Sequence, residues 1–145
     1  MALSKLNSLY MALIAEHSKN PHHKGTIEGV EAVLLNNPTC GDLISLTVKF
    51  QEDRIEDIAF SGDGCSISTA SASMMTDTVI GKTKEQALEL ITIFSEMVQG
   101  QENAAQEKLG EAELLAGVSK FPQRIKCATL AWHALEKAIE RSQQA

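Results

Sequence analysis

Residues 43–65 read LISLTVKFQEDRIEDIAFSGDGC and decide the fold class of this chain. Apolar residues recur at every second position from Ile44 to Phe50, which predicts a strand with one buried face. Two polar triplets, Asn36-Asn37-Pro38 and Gln51-Glu52-Asp53, have the composition of turns. The pattern therefore predicts three strands that short links join into an antiparallel meander: Val30–Leu35, Leu43–Phe50 and Arg54–Ser61.

On both sides of this meander, apolar residues recur at helical spacing. Before it, the apolar residues between Leu3 and Ile14 predict an amphipathic helix that ends near Asn20-Pro21. After it, the stretch from Cys65 to Val79 is rich in Ser, Ala and Met, which suits a helix packed closely against the sheet. The predicted fold class is α+β, with an N-terminal helix, a three-stranded antiparallel sheet, and then a group of helices packed on one face.

The C-terminal half predicts two further helices and a polar insertion. Thr83 and Gln86 fit a capping box at the start of one helix. Pro122 stands where a helix favours its first proline, ahead of an apolar stripe that includes Trp132. We interpret residues 1–145 as a single domain with a polar insertion at about 99–117, consisting of a loop over Gln99–Leu109 and a short helix over Glu111–Ala116.

Composition excludes several classes of function. The net charge of −6 disfavours nucleic-acid binding, which needs a basic face. The small basic group Lys120, Arg124 and Lys126 is interpreted as the solvated start of the last helix. Apolar runs are far shorter than the roughly 20 residues that span a bilayer. The N-terminal helix lacks the pattern of a secretory signal and the cysteine count is odd, so we expect a cytoplasmic protein without a disulfide framework.

Three cysteines and one aspartate are the candidate chemical groups. Cys40 and Asp42 flank Gly41 in a predicted turn, and residues two apart on an extended chain point the same way. Cys65 follows the third strand where a helix begins, and Cys127 lies near the start of the last helix. If the fold gathers these groups, they make a complete tetrahedral ligand set for Zn²⁺.

Helix starts favour thiolates because their partial charge is positive. Arg124 stands three residues before Cys127, so it shares that helix face and is expected to stabilise the thiolate. The competing interpretation is that the cysteines are ordinary core residues, since free cysteine is among the most buried residue types. Their separations match no compact zinc finger, which leaves both interpretations open.

Other candidate motifs have simpler explanations. Gly81-Lys82-Thr83 resembles the end of a phosphate-binding loop, but the required earlier glycine is replaced by Thr76, so helix capping is the better interpretation. His17, His22 and His23 are metal-ligand types, although a polar link after the first helix accounts for them. His133 lies about 120° around the last helix from Cys127, which makes it a poor ligand of the same site.

At the cysteines the chain resembles the U-type iron–sulfur cluster assembly proteins, the family that includes the SufU, IscU and NifU N-terminal types. The resemblance covers nearly the whole chain and rests on three separated motifs in the family's order. In that family the three cysteines and the aspartate cluster at one exposed end of an α+β fold. The motifs are Pro38-Thr39-Cys40-Gly41-Asp42, Gly62-Asp63-Gly64-Cys65-Ser66-Ile67-Ser68 and Lys126-Cys127-Ala128-Thr129-Leu130-Ala131-Trp132.

Two departures favour the SufU branch of the family over the IscU branch. The IscU type carries a histidine immediately before its third cysteine, where this chain has Lys126. It also carries a Leu-Pro-Pro-Val-Lys chaperone-binding motif, where this chain has Lys120-Phe121-Pro122-Gln123-Arg124. The polar insertion is a SufU-type feature as well. These differences argue against a chaperone-assisted scaffold.

The resemblance implies a zinc-dependent protein that accepts persulfide sulfur from a SufS-like cysteine desulfurase. It also implies that other cluster-assembly proteins are partners. The implied metal ligands are Cys40, Asp42, Cys65 and Cys127. Cys40 is our candidate sulfur acceptor because it lies in a flexible glycine turn. The alternative is a scaffold that assembles a [2Fe–2S] cluster on the same cysteines, because thiolates bind both metals. A purely structural zinc domain fits less well, and whether transfer counts as enzyme catalysis stays open.

Overall fold

The computed structural model describes residues 2–38, 41–101 and 103–144, with side chains from residue 11 onward. The predicted α+β fold is confirmed: an N-terminal helix precedes a three-stranded antiparallel sheet, and packed helices follow it. In chain order the elements are α1 (Ala2–Lys19), β1 (Val33–Asn37), β2 (Asp42–Gln51), β3 (Arg54–Asp63), α2 (Ser66–Val79), α3 (Lys84–Val98), a 3₁₀ segment (Gln106–Lys120) and α4 (Pro122–Gln143).

The sheet has the order β1-β2-β3, with both neighbouring pairs antiparallel. Alternate residues of β2, from Ile44 to Val48, are buried, as the period of two predicts. A register shift between Lys49 and Phe50 marks a bulge near the β2–β3 turn. α4 packs against β1 and β2, and α2 contacts β3, so the helices cover the apolar face of the sheet.

The first strand differs from its prediction. It covers Val33–Asn37 rather than Val30–Leu35, and the Asn36-Asn37 pair belongs to the strand instead of to a turn. Asn36 pairs with Leu43, and Asn37 pairs with Asp42. Asn37 is buried and its amide nitrogen lies 4.0 Å from the sulfur of Cys127. A tertiary contact with α4 therefore outweighs the local turn preference of asparagine.

The insertion also differs from its prediction. In place of a loop over Gln99–Leu109 and a short helix over Glu111–Ala116, 3₁₀ turns cover Gln106–Lys120, with one break at Gly110 where φ is +61°. The buried residues of this segment recur every third position, which is the period of a 3₁₀ helix. The buried set is Leu109, Ala112, Leu115 and Val118.

The core lies between the sheet and the helices, and the predicted stripe of α4 enters it. The Trp132 ring stacks on Phe94 with a centroid distance of 4.2 Å. Its indole nitrogen donates to Ser71 Oγ at 3.0 Å, so the ring is packed and its polar atom has a partner. The capping box of Thr83 and Gln86 is present at the start of α3. Within the described residues, no helix has the length and apolarity needed to cross a membrane.

Candidate metal centre

Three elements bring candidate ligands to one end of the sheet. Asp42 is the first residue of β2, Cys65 immediately precedes α2, and Cys127 lies in the second turn of α4. One carboxylate oxygen and the two sulfur atoms all lie within 4.8 Å of one another. The fourth predicted ligand, Cys40, falls outside the described residues.

Asp42 is almost fully buried and connects the sheet to α2. Its Oδ1 accepts a hydrogen bond from the backbone N–H of Cys65 at 2.8 Å, and its Oδ2 lies 4.0 Å from the Cys65 sulfur. One oxygen thus positions the start of the helix, while the other faces the sulfur. A carboxylate with this double role fixes the position of Cys65 relative to β2.

Cys65 is the N-cap residue of α2, with extended backbone angles of −69° and 172°. Its sulfur accepts a hydrogen bond from the backbone N–H of Ser68 at 3.5 Å. Ser, Thr, Asp or Asn usually occupies this position, because an oxygen there accepts from the first turn of the helix. The same N–H groups and helix dipole favour a negative sulfur, so the cap position suits a thiolate.

Cys127 is buried in the second turn of α4, whereas Cys65 is half-buried. The Asn37 side chain approaches the Cys127 sulfur from β1. Asn37 was absent from the predicted site. The sequence placed it in a turn, and only its pairing with Asp42 brings it beside the ligands.

Arg124 contributes the positive charge of this site. Its side chain is exposed and lies one helical turn before Cys127. The pKa of its guanidinium is raised above the ordinary value because of the negative charge of the Cys65 thiolate, with a hydrogen bond to Cys127 and the charge of that thiolate as further causes. Arg124 therefore stays protonated and faces both sulfurs.

The donor set fits a zinc ion. A tetrahedral ion with Zn–S bonds of about 2.3 Å holds its sulfur ligands about 3.7 Å apart. The described donors lie within 4.8 Å of one another, so small side-chain rotations close the set around an ion. Asp42 adds a hard oxygen to the sulfurs, a combination that zinc accepts. The ligand role of all four residues, with Cys40 among them, stays a prediction.

The remaining candidates lie elsewhere. His133 is exposed on α4, where its Nδ1 lies 3.9 Å from a carboxylate oxygen of Glu136, and it is not among the residues whose ligand atoms come together with the sulfurs. His17 is not part of a polar link: it is buried in α1 and forms a separate group with His22 and Asp77. The sequence indicated His17 and His22 as metal-ligand types but gave no signal for Asp77, because the group depends on the packing of α1 against α2.

Comparisons with known proteins agree with this geometry. The family model described as "NifU-like N terminal domain" matches residues 9–128. The chain is 77% identical over 145 residues to the iron–sulfur cluster assembly scaffold protein IscU of Streptococcus pyogenes serotype M1, covering 100% of this chain and 91% of that protein. It is 52% identical over 140 residues to the zinc-dependent sulfurtransferase SufU of Bacillus subtilis strain 168, covering 97% and 95% of the two chains.

A solved structure supports the same relationship. A candidate cluster assembly scaffold protein for the SUF system from Fervidobacterium islandicum AW-1 superposes with a TM-score of 0.83 at 37% identity, covering 88% of this chain and 93% of that one. The names of these relatives divide between the scaffold and the sulfurtransferase descriptions.

Proposed function

Because the chain belongs to the family of NifU-like N-terminal domains, whose IscU and SufU members serve iron–sulfur cluster assembly, we propose that it is a zinc-dependent sulfur-transfer protein. Its sulfur donor is a persulfide on a SufS-like cysteine desulfurase, and other cluster-assembly proteins are further partners. The reaction belongs in the cytoplasm, because free thiols need a reducing compartment. A single domain over residues 1–145 performs it.

The observation that carries this proposal is the pair of sulfurs held beside Asp42 and Arg124. Zinc, when bound, keeps the cysteines as thiolates and orders this end of the domain. The protein supplies the rest: the α2 start and the Arg124 guanidinium stabilise negative charge on sulfur. Asp42 is the weaker ligand of the set and fixes the Cys65 backbone.

Cys40 is the proposed sulfur acceptor. Its thiolate attacks the outer sulfur of the desulfurase persulfide, a new S–S bond forms at Cys40, and the old S–S bond breaks. The desulfurase cysteine leaves as a thiolate, so the terminal sulfur moves with its proton and no electrons are gained or lost overall. The next residue, Gly41, has a φ of +74°, a backbone conformation that glycine adopts readily.

A cluster scaffold is the second candidate. The Streptococcus pyogenes relative, 77% identical, is named a cluster assembly scaffold, and the same thiolates are suitable ligands for iron. Lys126 in place of a histidine, together with the different stretch at residues 120–124, favours sulfur transfer. In the scaffold case, iron and sulfide are the substrates and zinc is a competitor for the thiolates.

The decisive experiment measures turnover of a cysteine desulfurase with excess cysteine and reductant. The protein is added either zinc-loaded or zinc-stripped, and sulfide release is followed. We expect only the zinc-loaded form to accelerate turnover. If zinc is irrelevant or inhibitory, and iron with sulfide yields a stable cluster on the stripped protein, the chain is a scaffold.

Cys40 is tested in the same assay. The Cys40→Ala variant should lose sulfur acceptance. Mass spectrometry detects this loss as the absence of an adduct of about 32 Da, the mass of one sulfur atom. The matched control is Lys49→Ala, which removes an exposed side chain at the opposite end of β2 from Asp42. Sulfur acceptance by the Cys40→Ala variant would refute the acceptor assignment.

A further inference from the structure

A second group of metal-ligand side chains lies where α1 ends, outside the cysteine site. His17 is buried in α1, while His22 follows that helix and Asp77 lies on the exposed side of α2. One ligand atom from each of these three residues lies within 4.8 Å of the others. Glu111 of the 3₁₀ segment adds a carboxylate whose Oε2 is 2.6 Å from His17 Nε2. We call these four residues the histidine cluster.

The cluster is held in place by buried polar contacts. His17 Nδ1 lies 2.7 Å from Ser73 Oγ, and the same hydroxyl oxygen accepts from the backbone N–H of His22 at 2.8 Å. Histidines that bind metals usually use their second ring nitrogen in such a hydrogen bond, which fixes the ring orientation. The other nitrogen of His17 then faces Glu111, so the ring is oriented as a ligand.

Each imidazole is paired with a carboxylate. His17 Nε2 meets Glu111, and His22 Nδ1 lies 2.5 Å from Asp77 Oδ2. The two histidine rings are 4.6 Å apart between centroids. A divalent ion can replace the proton shared between His22 and Asp77, since it binds both partners at once. Two imidazoles and one carboxylate, with the fourth position left for water, are a donor set that zinc accepts.

The exposed members of the cluster can move toward an ion. The carboxylates of Asp77 and Glu111 line a cavity of about 210 Å³ beside α2, whereas the two histidines lie outside its lining. Ligands at 2.0–2.1 Å around a tetrahedral ion are about 3.4 Å apart, so the described atoms must approach further. The His22 and Asp77 side chains are 49% and 40% exposed and are able to rotate, while buried His17 provides the fixed point.

We propose that the histidine cluster is a second, sulfur-free zinc site, with the ligands His17, His22 and Asp77 and with Glu111 as the carboxylate partner of His17. An ion there joins α1 and the link that follows it to α2, and the contact between His17 and Glu111 extends this connection to the 3₁₀ segment. The site does not depend on sulfur transfer, so it stands or falls independently of the proposed function.

The test is a zinc titration of the full chain, followed by competition with a chelator and elemental analysis. We expect the wild-type protein to bind two equivalents of zinc with micromolar or tighter affinity. His22→Ala and Asp77→Asn should each weaken the second equivalent at least tenfold and leave the first unchanged. His133→Ala is the matched control, because its imidazole is 51% exposed, close to the 49% of His22. This control should keep both equivalents.

Cobalt distinguishes the two sites by their spectra. Co²⁺ bound to thiolates gives an intense charge-transfer absorption in the near ultraviolet, whereas a site of nitrogen and oxygen ligands gives only weak visible bands. We expect the first cobalt equivalent to produce the thiolate signal and the second to add weak bands that His22→Ala removes. The same zinc stoichiometry in the wild type, His22→Ala and Asp77→Asn, without weak cobalt bands that His22→Ala removes, would overturn the proposal.

Discussion

Asp42 shows how a single residue supports both the fold and the chemistry of the cysteine site. It is buried, it begins β2, and it accepts the backbone N–H of Cys65. A hydrogen bond to a charged acceptor contributes about 1.5–3 kcal/mol. The same side chain directs its other oxygen toward the Cys65 sulfur. Substitutions at this position therefore separate the two roles.

Asp42→Asn should keep the hydrogen bond and lose the anionic ligand. We expect the free energy of unfolding of the zinc-free protein to change by less than about 1 kcal/mol, while zinc affinity falls by roughly tenfold or more. Asp42→Ala should lose both, with a drop of about 1–3 kcal/mol in the unfolding free energy. Urea unfolding and chelator competition measure the two effects. Equal stability of the Asn and Ala variants would contradict the hydrogen-bonding role.

Arg124 should control the reactivity of the zinc-free thiols. Because the pKa of Arg124 is raised by the neighbouring thiolates, its charge is constant across the whole pH range of an alkylation experiment. Arg124→Gln removes that charge and should slow the iodoacetamide labelling of Cys65 by roughly several-fold at neutral pH. Mass spectrometry locates the label.

Arg124→Lys is the matched control for this prediction. It keeps the charge but loses the fork of donors, so most of the labelling rate should remain. If the Gln variant labels as fast as the wild type, the arginine does not stabilise the thiolates.

At the level of elements, Gly62 in β3 lies close to the neighbouring strand β2 near the site. Its φ is +130°, and a Cβ atom there would lie within hard contact of the Leu43 carbonyl oxygen, at 2.1 Å. Gly62 pairs with Ile44 of β2, next to the residues that lead into Cys65. A side chain at this position must displace backbone atoms of the neighbouring strand.

Gly62→Ala should therefore lower the free energy of unfolding by more than about 2 kcal/mol, because backbone strain and steric overlap add together. Gly81→Ala is the control: Gly81 also has a positive φ, at +81°, but no atom lies within 4 Å of its added Cβ. Strain alone should cost this variant about 1–2 kcal/mol. Urea denaturation of both variants gives the comparison, and equal losses would show that the contact with Leu43 is unimportant.

The elements also show how far the sequence predicts the structure. Strands β2 and β3, the capping box of α3 and the proline start of α4 follow from local patterns, and the structure confirms them. β1 was misplaced because Asn37 is held by a distant helix, a contact that no local pattern encodes. The 3₁₀ segment does not show the apolar spacing of an α-helix, because its buried residues recur at every third position.

The site was predictable only in part. The sequence indicated which residues have ligand chemistry, and the structure brings Asp42, Cys65 and Cys127 together. It could not indicate the cap geometry of Cys65 or the approach of Asn37, since both depend on how separate elements pack. The meeting of His17 and His22 with Asp77 could not be predicted for the same reason.

At the level of the whole molecule, the apolar core should keep the fold without zinc. Trp132 is the single tryptophan of the chain and stacks on Phe94 inside the core. Its fluorescence therefore reports on the packing of the helices and not on the metal site. Removing zinc should leave the emission spectrum of Trp132 unchanged at about 25 °C.

The thermal midpoint should nevertheless fall when zinc is removed. If the cysteine site binds zinc as proposed, the ion stabilises the folded state, and tight binding should raise the midpoint of a domain of this size by roughly 5–15 °C. Scanning fluorimetry on the zinc-loaded and zinc-stripped proteins checks this. A stripped protein with exposed Trp132 emission would mean that the metal, rather than the core, maintains the fold.

The convergence of β2, α2 and α4 on one site also has a consequence for synthesis of the protein on the ribosome. Chains emerge from the N-terminus at about 5–20 residues per second, and early elements fold first. Cys65 is in place long before Cys127, which belongs to the last helix in the described part of the chain. If the site binds zinc as proposed, metal capture is a final step of biogenesis, because a nascent chain interrupted before α4 lacks the thiol of Cys127 and carries only part of the proposed ligand set.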